Sequence, residues 1–199
     1  ALRANLYFVK EHVGILKADA LRANLYFVKE HVGILKAANQ FDVFDPASGA
    51  KVLECREPHL SGLTKLFRFT DWKRATPFEV IVTTPSGERV LKVKRGVSLF
   101  LSKVQVFDEQ DRYVGGFHQK LFSIGWKFDV LDAAGKSICT LQGKWTSWEF
   151  RFFAPSKDYA VVTKKWAGMG KELFTSADNY MLQIKDGVAE DDPARVLIL

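Results

Sequence analysis

The cations Lys92, Lys94, Arg95, Lys164 and Lys165 are the residues of this sequence best suited to bind something. Lys92-Val93-Lys94-Arg95 reads as part of a strand, and a period of two puts Lys92 and Lys94 on one face. Lys164-Lys165-Trp166 closes another strand, and Arg68, Lys73 and Arg74 surround Trp72. Cations beside aromatic rings suit anionic lipid headgroups, where charge steers approach and rings enter the interface. The same pattern serves single-stranded nucleic acid, which is weighed below lipid here. A plain solvated exterior accounts for it equally well.

Other chemistry is argued against residue by residue. Lys165-Trp166-Ala167-Gly168-Met169-Gly170-Lys171-Glu172 imitates a phosphate-binding loop. Yet Lys165 stands where the first Gly belongs, and Glu172 where a Ser or Thr would hold the metal. Leu173 occupies the third Gly of a dinucleotide fingerprint. Ser123-Ile124-Gly125 lacks the leading Gly of a nucleophile elbow. His12, His31, His59 and His118 have no metal-ligand spacing. Cys55 and Cys139 sit in strand-like runs and read as small packed hydrophobes. A calcium loop needs oxygen ligands at its first, third, fifth and twelfth positions. Counted from Ser176, the third is Asp178, the fifth Tyr180 and the twelfth Gly187. No cofactor is expected, with calcium at this degenerate segment the one weak candidate, and an enzyme is the weakest function class.

The elements that must position these side chains are hairpins. The chain has 199 residues, 47% hydrophobic and 13% aromatic, with 16 Phe against 2 Met, a bias toward strands. Alternating runs meet turn residues five times: Phe41–Phe44 before Asp45-Pro46-Ala47-Ser48-Gly49, Phe78–Thr83 before Thr84-Pro85-Ser86-Gly87, Val104–Phe107 before Asp108–Asp111, Trp126–Leu131 before Asp132–Gly135, and Trp148–Phe153 before Ala154–Asp158. Pro presets φ, Asp bonds the bend and Gly accepts positive φ. Asn24–Glu30 and Asn179–Ile184 bring the strands to twelve. So wide a meander would curl, and closure removes its edges. An all-β, twelve-stranded closed antiparallel barrel is therefore expected. Its lumen needs filling, and a helix beginning at Pro193 with Ala194–Leu199 behind it is the candidate.

Residues 1–18 and 20–37 are identical, with Asp19 between them. Stacking repeats usually come in at least three copies. Residues 1–19 therefore read as an added duplicate, and 20–199 as one domain; a genuine extra strand is the rival. Lys and Arg outnumber Asp and Glu by 29 to 23. Two cysteines exclude a disulfide scaffold and fit a reducing, cytoplasmic compartment. No run approaches the roughly 18 apolar residues of a spanning helix. Membrane contact would thus be peripheral.

Asn24–Glu30, Val52–Pro58, Phe69–Phe78 and Phe174–Tyr180 together resemble the phospholipid scramblase family, and its short bacterial members most. The resemblance runs from about residue 20 to the end. It implies the Tubby-like fold, shared with the LURP-one-related proteins: a twelve-stranded barrel around a central apolar C-terminal helix, of which only the start is present here. It also implies calcium-stimulated, ATP-independent phospholipid movement between leaflets. Against that pattern, Ser176 and Gly187 replace the acidic ends of the calcium segment, and no stretch of this sequence matches the Pro-rich, cysteine-rich N-terminal region of the animal members. Two readings follow. One is a scramblase-family protein that binds anionic membrane lipid and aids its transbilayer movement. The other is a soluble module holding a lipid or apolar ligand without transport. Oligomeric state is not legible.

Overall fold

The structure is a computed structural model and describes residues 21–31, 40–58, 76–97, 102–120, 126–144, 148–164 and 179–199. The duplicated segment 1–19 lies outside them. Twelve strands run in chain order: β1 (Leu25–Glu30), β2 (Gln40–Phe44), β3 (Lys51–Arg56), β4 (Phe78–Thr83), β5 (Arg89–Arg95), β6 (Lys103–Asp108), β7 (Tyr113–Gln119), β8 (Trp126–Asp132), β9 (Ser137–Lys144), β10 (Glu149–Ala154), β11 (Lys157–Thr163) and β12 (Asn179–Ile184). A short helix, α1 (Ala194–Ile198), follows. Each strand pairs antiparallel with its neighbours in sequence, and β1 pairs with β12 from Leu25↔Gln183 to Lys29↔Asn179. The barrel is closed, as the hairpin count predicts.

The hairpin turns form for the reasons their residues suggest. The Asp45 carboxylate accepts the amides of Ala47 and Ser48, the Asp108 carboxylate those of Gln110 and Arg112, and the Asp132 carboxylate those of Ala134 and Lys136. One short acidic side chain thus satisfies two backbone donors that the bend would otherwise leave without partners. Gly87 takes φ +87° in the turn after Thr84, a conformation that penalises any Cβ. The last turn is tighter than the sequence implies. Ala154 already pairs with Lys157, so β11 begins two residues early and only Pro155-Ser156 bend. Arg151 on β10 bridges to Asp158 at 2.8 Å and holds that extension.

Curvature has a local cause. The register slips one residue before each of the five tight turns: at Val43/Phe44, Val82/Thr83, Val106/Phe107, Val130/Leu131 and Phe152/Phe153. A bulge bends its strand and sharpens the right-handed twist. Five of them at one level curl the sheet until β12 meets β1.

The twelve strands define two rims. One carries the tight turns, of two to six residues, together with 21–24 and the tail from 185 onward. At the other rim the connections run from four to 21 residues. The core lies toward the short-turn rim. Leu53, Val82, Leu91, Val106, Val130, Cys139, Phe152, Leu182 and Ile184 are buried there, joined by Leu21, Val188, Ala194, Leu197 and Ile198. Helix α1 enters from this end. Its first turn is set by Asp192, whose carboxylate accepts the Ala194 amide at 3.0 Å. A Cβ at Gly115 on β7 would lie 3.0 Å from Leu197 and 2.3 Å from the Leu131 carbonyl, so only glycine admits the helix this close to the wall. The helix start expected inside the barrel is present.

Candidate cationic and aromatic rim

Register and alternation settle which side chains face inward. Leu182 and Ile184 belong to the core, so Tyr180 shares their face. Leu91 belongs to the core and Val93 pairs with Val80 and Val106, so Arg95 follows them on the inward face. Lys92 and Lys94 take the opposite, outer face, as the sequence predicts. The cations among the described residues are therefore not one patch: Lys92 and Lys94 stand on the wall, and Arg95 turns the other way.

Both inward cations sit at the long-connection rim. The Lys164 ammonium lies 3.9 Å from the Trp148 ring centroid and 4.8 Å from that of Tyr180, and the two rings are 6.3 Å apart. Lys164 lies just past the end of β11, Trp148 just before β10, and Tyr180 near the start of β12. Three elements thus converge on one cation. On β5, the Arg95 guanidinium lies 4.8 Å from the Phe78 ring and donates to the Thr76 carbonyl at 2.8 Å. A cation over a ring face is attracted by the ring's quadrupole, by about 0.5–1 kcal/mol at an exposed site. Inward aromatics continue the lining. Phe117, Trp126, Phe128 and Phe150 are half-buried, whereas inward residues toward the other rim are buried. Trp126 stacks on Phe128 at 6.2 Å, and the Phe150 ring lies where a Cβ at Gly143 would be.

The wall cations are differently placed. Lys92 pairs with Asp111 and stands 5.1 Å from the Phe107 ring. Hydrogen bonds from Lys92 and Arg89 hold the Asp111 carboxyl below the usual range. Lys94 is exposed on β5. Lys165 lies outside the described residues, as do Ser176 and Asp178. Of the other two positions in the calcium count, Tyr180 turns its ring to Lys164, and Gly187 sits in an exposed turn. Among the described residues no cluster of His, Cys, Asp and Glu has the makings of a metal site. Burial pushes the Cys55 thiol up to about 11 and the Cys139 thiol up to about 12, which makes both poor nucleophiles.

Sequence reasoning missed a charge cluster on the outer face of β2 and β3. The Asp42 side chain is 5% exposed. Its carboxylate accepts from Arg56, lies 3.0 Å from the Lys51 ammonium and 2.8 Å from His31 Nε2. Glu54 completes the set, 2.9 Å from Lys51. Burial alone would raise the Asp42 carboxyl, but these donors outweigh it and hold it far below the carboxylate range. Opposite charges are matched here, so the cluster braces the hairpin and offers no excess charge to a ligand. Its signal was available: a hairpin turning at Asp45-Pro46 puts residue 42 opposite residue 54.

Comparison with known families matches the model described as Scramblase over residues 30–193. The chain belongs to the Scramblase family. Comparison with curated proteins gives no match. An X-ray structure of a protein from Arabidopsis thaliana is similar over 87% of this chain and 88% of that one, at 15% identity and a TM-score of 0.47, a likeness too weak to carry weight. No helix among the described residues is long and apolar enough to cross a membrane.

Proposed function

We propose that this scramblase-family barrel binds anionic phospholipid at a membrane surface and aids its movement between leaflets. The observation that carries the reading is the Lys164 ammonium held between the Trp148 and Tyr180 rings, with Arg95 over Phe78 at the same rim. Such pairs supply both terms of interfacial binding, charge for the phosphate and rings for the headgroup boundary. The lumen is not the route by which a headgroup would cross. Its short-turn half is apolar, buried and closed by α1, and a polar group moved through it would lose its hydrogen bonds to water at a cost of several kcal/mol. Lipid movement by this protein would act on the bilayer from its surface.

The half-buried aromatic lining also favours a second reading, a barrel that holds one lipid or apolar ligand without transport. Two measurements separate the readings. Cosedimentation with phosphatidylcholine vesicles, with and without phosphatidylserine, is expected to show binding only when the anionic lipid is present. Dithionite quenching of a labelled phospholipid in reconstituted vesicles is expected to exceed the half that outer-leaflet label contributes. Binding without extra quenching supports the ligand-holding module. Absence of binding to either vesicle removes the membrane reading.

A further inference from the structure

The barrel has one place for its closing strand, and the sequence supplies two strands that fit it. Residues 1–18 repeat residues 20–37 letter for letter. The second copy contains β1 and the segment that leads into it. β1 closes the wall: it pairs with β12 from Leu25↔Gln183 to Lys29↔Asn179, and with β2 from Phe27↔Phe44 to Glu30↔Phe41. Its Tyr26 is 0% exposed and its Phe27 8%.

Every contact that residues 21–31 make in this slot has a twin available in the first copy. Arg195 donates to the carbonyls of Leu21, Arg22 and Ala23 and to the Asn24 side-chain oxygen. Residues 2–5 are the same Leu-Arg-Ala-Asn. The Asn24 carbonyl accepts the Ile184 amide at 2.7 Å, and the His31 amide donates to the Gln40 carbonyl at 2.8 Å. The His31 ring lies 2.8 Å from the Asp42 carboxylate. His12 repeats His31, and Leu6–Glu11 repeats β1 itself.

From this identity we infer that the closing strand is exchangeable: the protein has a second folded arrangement in which Leu6–Glu11 fills the slot between β12 and β2, and Leu25–Glu30 becomes part of the connection to β2. Packing, latch and ladder bonds are the same in both arrangements, because the side chains are the same. Only the connection differs. It spans residues 31–39 in the described arrangement and residues 12–39 in the other. Loop closure costs entropy as three halves of the logarithm of length, so the longer connection disfavours the second arrangement by only about fivefold. One chain in about six would hold it. Passage between the two requires β1 to leave both neighbours, which is a partial unfolding of the barrel. Strand exchange needs no membrane, and it holds whether or not the barrel binds lipid.

Alanine substitution at the buried tyrosine tests the exchange. In a barrel with one usable closing strand, Tyr26→Ala would lower the folding constant by roughly a hundredfold or more. Exchange predicts a loss of only about sixfold, since the intact first copy takes the slot. Tyr7→Ala is expected to leave the constant unchanged, and Tyr7→Ala with Tyr26→Ala to show the full loss, all read from urea unfolding. Tyr26→Ala as damaging as the double substitution overturns the inference. A second measurement does not depend on those variants folding. Leu25 faces Gln183 across the β1–β12 ladder. The pairs Leu25→Cys with Gln183→Cys and Leu6→Cys with Gln183→Cys are each refolded under reducing conditions and then oxidised. The first pair is expected to close a disulfide within one chain, and the second to do so in at least about one chain in six. Closure of the first pair alone, or a second-pair disulfide found only between chains, overturns exchange within the molecule.

Discussion

The Arg195 guanidinium donates to the carbonyl oxygen of Ala23 at 2.8 Å, tying helix α1 to the segment that leads into β1. Arg195 is 1% exposed, and its other acceptors are the carbonyls of Leu21, Arg22 and Val188 and the side-chain oxygen of Asn24. Its partners are neutral dipoles gathered from two segments far apart in sequence. Tyr26, buried beside it, is pushed up to about 12 by that burial, although the Arg195 charge opposes the rise. A charge this deep is tolerated because its donors are met. The rim is therefore closed by a polar latch above an apolar plug.

Arg195→Met is expected to destabilise the fold strongly. The substitution preserves bulk but leaves buried carbonyls without donors, a loss of about 3 kcal/mol. For a domain of this size that lowers Tm by roughly 6–12 °C. Calorimetry checks it; an unchanged Tm would show that α1 docks by apolar contact alone.

Gly115→Ala tests how closely α1 approaches the wall. The added methyl would meet the Leu131 carbonyl at 2.3 Å, backbone that cannot rotate away, at φ +148°. A loss of about 1–3 kcal/mol is expected in urea unfolding. Gly187→Ala, in open space, is the matched control and is expected to cost little.

Acid stability should depend on Asp42. Its folded carboxyl is held below the ordinary value of 3.8. A group depressed in the folded state adds stability above the unfolded pKa and loses it as pH falls toward the folded one. Stability is thus expected to be level near neutrality from this source and to fall below about pH 4. Asp42→Asn should lower stability at pH 7 and flatten that acid limb, as read by urea midpoints across pH. A mutant curve parallel to the wild type at every pH would refute the assignment.

What was legible in the sequence follows from what is local. The turn at Asp132–Gly135 is written in four adjacent residues, and the bounds of β12 in the alternation of Asn179–Ile184. The bulges are not, because each is a mismatch between two strands rather than a property of either. Period alone puts Lys92 and Lys94 on one face; that Arg95 turns inward emerges only from the register of β5 against β4 and β6. The Lys164, Trp148 and Tyr180 cluster draws on three elements and has no signature in any one of them. Arg195 was invisible for a plainer reason: its acceptors are mostly main-chain carbonyls, which every sequence has.

The central claim, anionic lipid met at the cationic and aromatic rim, is tested most directly by comparing two double charge reversals in vesicle cosedimentation. Each cation near an anionic surface contributes about 1 kcal/mol. Arg95→Glu with Lys164→Glu is expected to weaken binding to phosphatidylserine-containing vesicles by roughly 30-fold or more. Lys92→Glu with Lys94→Glu on the wall is expected to change it several-fold less. Equal losses from both pairs, or a larger loss from the wall pair, would contradict the account.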